Sequence, residues 1–327
     1  MMHPEPRRKL GKTELNISAV GLGCWPFAGI TSLGVDDAQS ILTVQAALAC
    51  GINHFDTAFS YGADGRSDRV LNQALKDVPR ENYVLCSKVG THYDEAGQRA
   101  VDGRGRILIE QTQRSLERIG ISFIDLQYLH QPDPKIDLHE SAEALLRLQE
   151  MGLIRHVGLS NATLKECQLF HSICPLAAVQ IPFNMLQPAT YVELLNWCVE
   201  NQISMISFWV LMKGLFAGKM GRTHQLAMED RRRAYPMYQE SQWNINQDFV
   251  DVLRSLAAQL GWSVAQLVVR WSMEQPGMTS CLVGAKRPEQ IVESAAALNA
   301  PLPIEIGQAI EAAIENRLGL GDPSRSM

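Results

Sequence analysis

LIEQTQRSLERIGISFIDLQYLH, residues 108–130, contains the unit that decides the fold. Leu108, Thr112, Leu116 and Ile119 recur at the three- and four-residue spacing of one helical face. Gly120 supplies the left-handed residue that commonly ends a helix, and the apolar ISFIDLQYLH after it reads as a strand. The unit recurs. Ile41, Val44 and Leu48 precede Gly51 and INHFDTA; Ala144, Leu145, Leu148 and Met151 precede Gly152 and LIRHVGLS; Leu194, Leu195 and Cys198 lead to Asn201 and ISMISFWV.

Eight strands are expected: 20–25, 53–58, 83–89, 125–130, 155–160, 177–183, 204–209 and 279–285. Strands that alternate with helices pair in parallel, and eight units without a composition shift predict a closed (β/α)8 TIM barrel, one domain over 1–327. RRKLGKTELNISAV predicts an N-terminal β-hairpin capping the barrel bottom. Residues 213–246 read as a long polar excursion after strand seven, and about 302–318 as an extra C-terminal helix.

Composition narrows the class. With 327 residues, 46% hydrophobic and 20% charged, the chain is expected to bury a large core, which excludes disorder. It contains no apolar run of ~18 residues, so no membrane partner is expected, and its start lacks the apolar stretch of a secretion signal. A net charge of −5 argues against nucleic acid. Seven scattered cysteines with no C-x-x-C pair suit reduced thiols in the cytoplasm, where a monomer is the default. The histidines 54, 92, 139, 156, 171 and 224 show no metal spacing, so no catalytic metal is expected.

Barrel active sites lie where strands end at the C-terminal face. Strand two ends in Asp56 with Tyr61 close behind, strand three in Lys88 and strand four in His130. An ammonium beside a tyrosine lowers the phenol pKa, and a carboxylate keeps a buried lysine charged. A neutral histidine donates a hydrogen bond to a carbonyl oxygen. Together these groups suit protonation of a carbonyl oxygen, with Tyr61 as general acid. No side chain supplies a hydride, so a nicotinamide cofactor is implied.

The later strand ends carry groups for such a cofactor. Ser160, Asn161 and Gln180 offer donors and acceptors to a carboxamide, and Phe208 offers a ring for stacking. Lys213, Gly214 and Lys219 suit a pyrophosphate, while Lys286 and Arg287 before Pro288 form a cationic helix start. Gly23, Trp25 and Asp56, with Trp209, Leu211, Gly284, Gln290, Glu293 and Ser294, complete the residues expected around the cofactor. Gly21-Leu22-Gly23 lacks the third glycine of a dinucleotide fingerprint. Trp25, Phe59, Tyr61, Tyr93 and His130 are expected to contact substrate, with Trp209 at the same aromatic mouth.

FDTA-xx-YG at 55–62, SDRVLNQAL at 67–75, SKVG at 87–90, LHQPDP at 129–134, IRHVGLSN at 154–161 and Q-x-P-x-N at 180–184 resemble the aldo-keto reductase family, over roughly 8–298. The resemblance implies NADPH-dependent reduction of aldehydes or ketones by a tetrad of Asp56, Tyr61, Lys88 and His130. It also implies nicotinamide contacts from Ser160, Asn161 and Gln180. Phe208-Trp209-Val210-Leu211 departs from the family's usual Y-S-P-L, and Glu293-Ser294 from its E-N. Lys286 and Arg287 favour a 2′-phosphate, hence NADPH over NADH. The alternatives are an NAD(P)-dependent sugar or polyol dehydrogenase running the same groups in reverse, an NADPH-binding sensor subunit, or a Schiff-base aldolase on Lys88. The last would leave Asp56 and Tyr61 without a task.

Overall fold

Before any barrel strand, β1 (Arg8–Lys9) and β2 (Asn16–Ile17) pair antiparallel as the expected hairpin. Eight parallel strands then close on themselves in the computed structural model, which describes residues 7–62, 64–187 and 191–320. The first three barrel strands are β3 (Val20–Gly23), β4 (His54–Asp56) and β5 (Val84–Val89). A small antiparallel hairpin, β6 (Thr91–Tyr93) and β7 (Arg99–Val101), interrupts the series. The barrel resumes with β8 (Ile124–Leu129), β9 (Ile154–Ser160), β10 (Leu176–Pro182), β11 (Ser204–Phe208) and β12 (Met278–Gly284), which pairs back with β3.

Helices α1 (Asp37–Ala49), α2 (Arg66–Leu75), α3 (Gly105–Ile119), α4 (Leu138–Glu150), α5 (Leu164–Ile173) and α6 (Val192–Glu200) form the successive crossovers. Gly120 ends α3 at φ 75 with its N–H on the Leu116 carbonyl, as its position predicts. Two helices follow β11, α7 (Glu240–Gln259) and α8 (Val264–Met273), and α9 (Pro288–Ala295) follows β12. The C-terminal α10 (Ile304–Gly319) lies against α7, where Arg317 donates to Asn246 Oδ1 at 2.9 Å and to Gln242 Oε1 at 2.6 Å.

Among the boundaries that differ from expectation, three have a local cause. The first barrel strand stops at Gly23 because Pro26 has no N–H for a ladder, and Trp25–Ala28 turns as a short 3-10 helix. The seventh stops at Phe208 because Trp209 takes φ 60. The excursion ends earlier than 246, since α7 already begins at Glu240.

Strand alternation sorts the side chains into two shells. Val84 and Cys86 point into the barrel with Leu126, Tyr128 and Ile206, and Leu10 and Ile17 of the hairpin close the bottom. Leu85 points outward into the layer beneath the helices with Phe55, Leu71, Leu108 and Leu145. Gly21 has a packing role: a Cβ there would lie 2.7 Å from His54 Nδ1. The seven cysteines are free thiols, six of them buried. Burial pushes Cys167 and Cys174 up to about 12, which makes them packing groups and not nucleophiles.

One buried acid of α2 makes stability depend on pH. Asp68 is fully enclosed, with Thr57 Oγ1 donating to it at 3.0 Å and the Arg118 guanidinium 3.9 Å away as an ion pair. Burial raises its pKa to about 7, against the pull of Thr57 and Arg118. The folded chain therefore holds this proton more tightly than the unfolded one, and stability falls as pH rises from about 4 toward 7. We expect Asp68→Asn to raise Tm relative to the parent by about 2–4 °C more at pH 8 than at pH 4. A mutant-minus-parent difference that stays constant with pH, in calorimetry at the two values, would contradict this.

Candidate active site

Because β5 alternates, Lys88 falls on the same inward face as Val84 and Cys86, and it is 2% exposed. Its ammonium meets three acceptors. Nζ donates to Asp56 Oδ1 at the end of β4, to the Thr57 carbonyl at 3.0 Å and to the Tyr61 hydroxyl oxygen at 3.3 Å. All three N–H bonds are thereby engaged, and the Tyr61 O–H remains free to donate elsewhere. Gln180 Nε2 donates to the other carboxylate oxygen, Asp56 Oδ2, at 2.9 Å. Gln180, expected to face a carboxamide, therefore also braces the ion pair.

Burial depresses Lys88, but Asp56 and Tyr61 outweigh it and hold the ammonium above its usual pKa. Tyr61 corrects the expectation of a lowered phenol. Burial raises it, Lys88 pulls it down, and the net direction is upward. The proton on Tyr61 is retained at neutral pH, which suits an acid. His130 follows β8, its backbone N–H on the Val89 carbonyl at 2.8 Å. Burial first, then Lys88 and Arg99, keep it well below the usual imidazole pKa, hence neutral. Its ring centroid lies 6.1 Å from that of Tyr61.

Behind His130 runs a chain that the sequence reading missed. His130 Nδ1 lies 2.9 Å from Thr91 Oγ1, which lies 2.8 Å from Ser60 Oγ, all three groups being buried. Thr91 opens β6, and the only signal for it was its place three residues beyond Lys88.

Around this centre, Trp25 meets Tyr61 edge-on at 5.0 Å, and its indole N–H donates to Thr31 Oγ1 at 2.6 Å. Gly23 pairs with Asp56 across β3–β4 and with Gly284 across β12–β3. Asn161, at φ 53, donates to the Ser160 hydroxyl at 3.1 Å and to the His130 carbonyl at 3.0 Å, tying β9 to β8. Tyr93 stands on β6 opposite Arg99. Phe59 goes elsewhere. Its ring lies under the guanidiniums of Arg118 (4.5 Å) and Arg114 (5.4 Å) of α3, because the turn after β4 aims it at the helix layer and not at Tyr61.

The segment after β11 carries unusual backbone. Among the described residues, Asn161, Trp209, Met212 and Lys213 are four of the five non-glycine residues with positive φ, and three of them fall here. Left-handed backbone in such residues costs on the order of 1 kcal/mol each and concentrates at ligand sites. Leu211 leads into this run, and Gly214 continues it at φ 100. The Trp209 indole turns edge-on to Tyr235 (6.3 Å) and Phe208 (5.7 Å). Lys213 Nζ sits over the Trp209 ring at 4.4 Å and the Tyr235 ring at 4.2 Å. Burial lowers Lys213 to about 8, and no carboxylate partners it among the described residues. Arg232 and Tyr238 each donate to its carbonyl at 3.1 Å.

Three cations expected at a cofactor also meet protein groups. Lys219 pairs with Glu293 at 2.8 Å, bringing together residues expected at opposite ends of the cofactor. Arg287 pairs with Glu289 at 2.6 Å. Lys286 Nζ donates to the Leu33 carbonyl at 3.0 Å, and its backbone N–H to Gln290 Oε1 at 2.9 Å. Ser294 is buried in the packing of α9.

The sequence profile of the Aldo/keto reductase family matches residues 19–315. The chain belongs to the aldo/keto reductase family. An aldo-keto reductase of Bacillus subtilis, YhdN, is 32% identical over 284 residues, covering 86% of this chain and 85% of the relative. The structure of a glycerol dehydrogenase from Gluconobacter oxydans superposes with a TM-score of 0.88 at 29% identity, covering 96% of each chain. The holo form of an aldo-keto reductase from Bacillus halodurans shares the fold, with a TM-score of 0.76 at 22% identity over 95% of this chain and 96% of that one. The protein is thus an oxidoreductase of a family that uses NAD(P)H and acts on small-molecule carbonyl compounds.

Proposed function

We propose that this aldo/keto reductase reduces aldehydes or ketones with NADPH, Tyr61 acting as the general acid. The observation that carries the reading is the engagement of all three Lys88 N–H bonds, one of them on the Tyr61 oxygen, which leaves the phenolic proton for the substrate. When bound, the nicotinamide supplies the hydride for the carbonyl carbon. Tyr61 gives its proton to the carbonyl oxygen, and Lys88 stabilises the phenolate left behind. Asp56, braced by Gln180, keeps the lysine charged. Neutral His130 donates to the same oxygen and fixes its direction.

The cofactor fits the residues beyond β11. A half-buried ammonium that no carboxylate partners among the described residues, beside the left-handed Lys213–Gly214 backbone, matches a phosphate group. Lys286 and Arg287 at the start of α9 would hold the 2′-phosphate. The likeness to a glycerol dehydrogenase favours a second reading, oxidation of a polyol, in which the same groups run in reverse and Tyr61 returns as the base.

Steady-state oxidation of NADPH and of NADH with an aromatic aldehyde tests the first reading, and reduction of the oxidised cofactors with glycerol tests the second. Lys286→Ala with Arg287→Ala is expected to weaken NADPH at least about tenfold more than NADH. Equal losses for the two cofactors would move the 2′-phosphate site elsewhere.

A further inference from the structure

We propose that Trp209 and Tyr235 are positioning residues, whose rings cage the Lys213 ammonium and hold it for the cofactor's pyrophosphate, the part common to NADPH and NADH. The inference rests on the reading of this chain as a nicotinamide-dependent enzyme.

Trp209 stands where the family usually has a serine, and the carbonyl chemistry gives it no task. Its φ of 60 ends β11 and turns the indole edge-on to Phe208 at 5.7 Å and to Tyr235 at 6.3 Å. Lys213 Nζ lies 4.4 Å from the centre of the indole and 4.2 Å from the centre of the Tyr235 ring. The two rings stand at 81° to each other, and the ammonium occupies the corner between them. Both distances lie inside the ~6 Å over which a ring face attracts a cation. A serine side chain offers no such face.

The segment that brings Tyr235 also grips the lysine at its other end. Arg232 Nη1 and the Tyr238 hydroxyl each donate to the Lys213 carbonyl at 3.1 Å, and Tyr235 lies between them in the chain. Its own N–H donates to the Arg232 carbonyl at 3.0 Å, and its carbonyl accepts from the Tyr238 N–H at 3.0 Å. Backbone and ammonium of Lys213 are therefore both held, at a residue whose φ of 55 is followed by Gly214 at φ 100. Ordering a lysine costs side-chain entropy, and here the protein meets that cost before any ligand arrives.

The cage leaves one requirement unmet. Ring faces attract the charge, yet among the described residues no oxygen accepts an N–H from Lys213 Nζ. Phosphate oxygens would do so, as charge-assisted hydrogen bonds. Lys213, Trp209 and Tyr235 are each half-buried, so the cluster is open to a ligand on one side. Lys219, the other cation expected at the pyrophosphate, is already paired with Glu293 at 2.8 Å. The role falls to Lys213.

The test is calorimetric titration of NADPH and NADH into the parent and two double variants. One lacks both rings, Trp209→Leu with Tyr235→Leu; the other retains them, Trp209→Phe with Tyr235→Phe. We expect the ringless variant to raise Kd for both cofactors alike by at least about fivefold, and the ring-retaining variant to stay within about twofold of the parent. In a Lys213→Met background, removing the rings should cost less than about twofold more, because they act through the ammonium. A loss below about fivefold in the ringless variant overturns the proposal. So does a loss confined to NADPH, an equal loss in the ring-retaining variant, or a loss that persists without Lys213.

The cage itself can be read without cofactor. In NMR of protein carrying labelled lysine, ring currents should place the Lys213 Cε protons upfield of those of other lysines, the signal being identified by its loss in Lys213→Met. In the ringless variant it should rejoin the others, and an ordinary position in the parent overturns the cage. If neither cofactor binds the parent, the proposed function fails, and inorganic pyrophosphate becomes the probe. The inference then stands if pyrophosphate moves the Lys213 signal and binds the ringless variant at least about fivefold more weakly than the parent, and falls if it does not.

Discussion

Tyr61→Phe is expected to lower kcat for carbonyl reduction by about 10²–10⁴-fold while leaving the Kd for NADPH within about twofold. The ring stays in place, because its packing edge-on to Trp25 at 5.0 Å uses none of the hydroxyl. What is lost is the one O–H that Lys88 leaves unengaged, together with the third acceptor of the ammonium. The loss should appear in kcat as much as in kcat/KM, since the proton moves in the transition state. Steady-state kinetics and fluorescence titration of the cofactor separate the two quantities. A variant that keeps near-normal turnover would remove Tyr61 from the chemistry. Because burial holds Tyr61 above the usual phenol range, the parent's reduction rate should show no alkaline limb from this group below about pH 10.

The barrel was legible because its code is local. An apolar face at helical spacing, a glycine such as Gly120 and an apolar run follow one another within about thirty residues, and tertiary contacts only reinforce them. Asp56, Lys88 and His130 were legible for the same reason: a polar residue ending an apolar strand has few places to go. The β6–β7 hairpin was not, since THYDEAGQRAV shows no strong alternation and is shaped by the Asp94 turn. The pairing of Lys219 with Glu293 joins residues far apart in the chain, and nothing in either neighbourhood announces the other. Phe59 precedes Tyr61 by two positions, but in a turn this spacing no longer fixes a common face. The direction of the Tyr61 pKa depends on enclosure, which a sequence does not report. Ammonium and phenol could be expected to meet; that burial would dominate their interaction could not.

Thr91→Val should lower kcat/KM by about 5–150-fold, the cost of removing one hydrogen bond from a buried polar group, and Thr91→Ser should restore most of it. A neutral imidazole has one N–H, and its usefulness depends on which nitrogen carries it. Ser60 and Thr91 hydroxyls in line at 2.8 and 2.9 Å can pass donation along the chain, Ser60 to Thr91 and Thr91 to His130 Nδ1. With Nδ1 accepting, the proton resides on Nε2, the nitrogen left for the substrate oxygen. Valine keeps the volume of threonine but removes the donor, so the tautomer loses its support while the packing of β6 remains. Thr91 is a positioning residue, and the measurement must distinguish that role from general damage. Nitrogen NMR of labelled His130 should report Nε2–H in the parent and in Thr91→Ser, and a mixture of tautomers in Thr91→Val. If all three proteins show the same tautomer, or if serine fails where valine fails, the hydroxyl chain does not set the histidine.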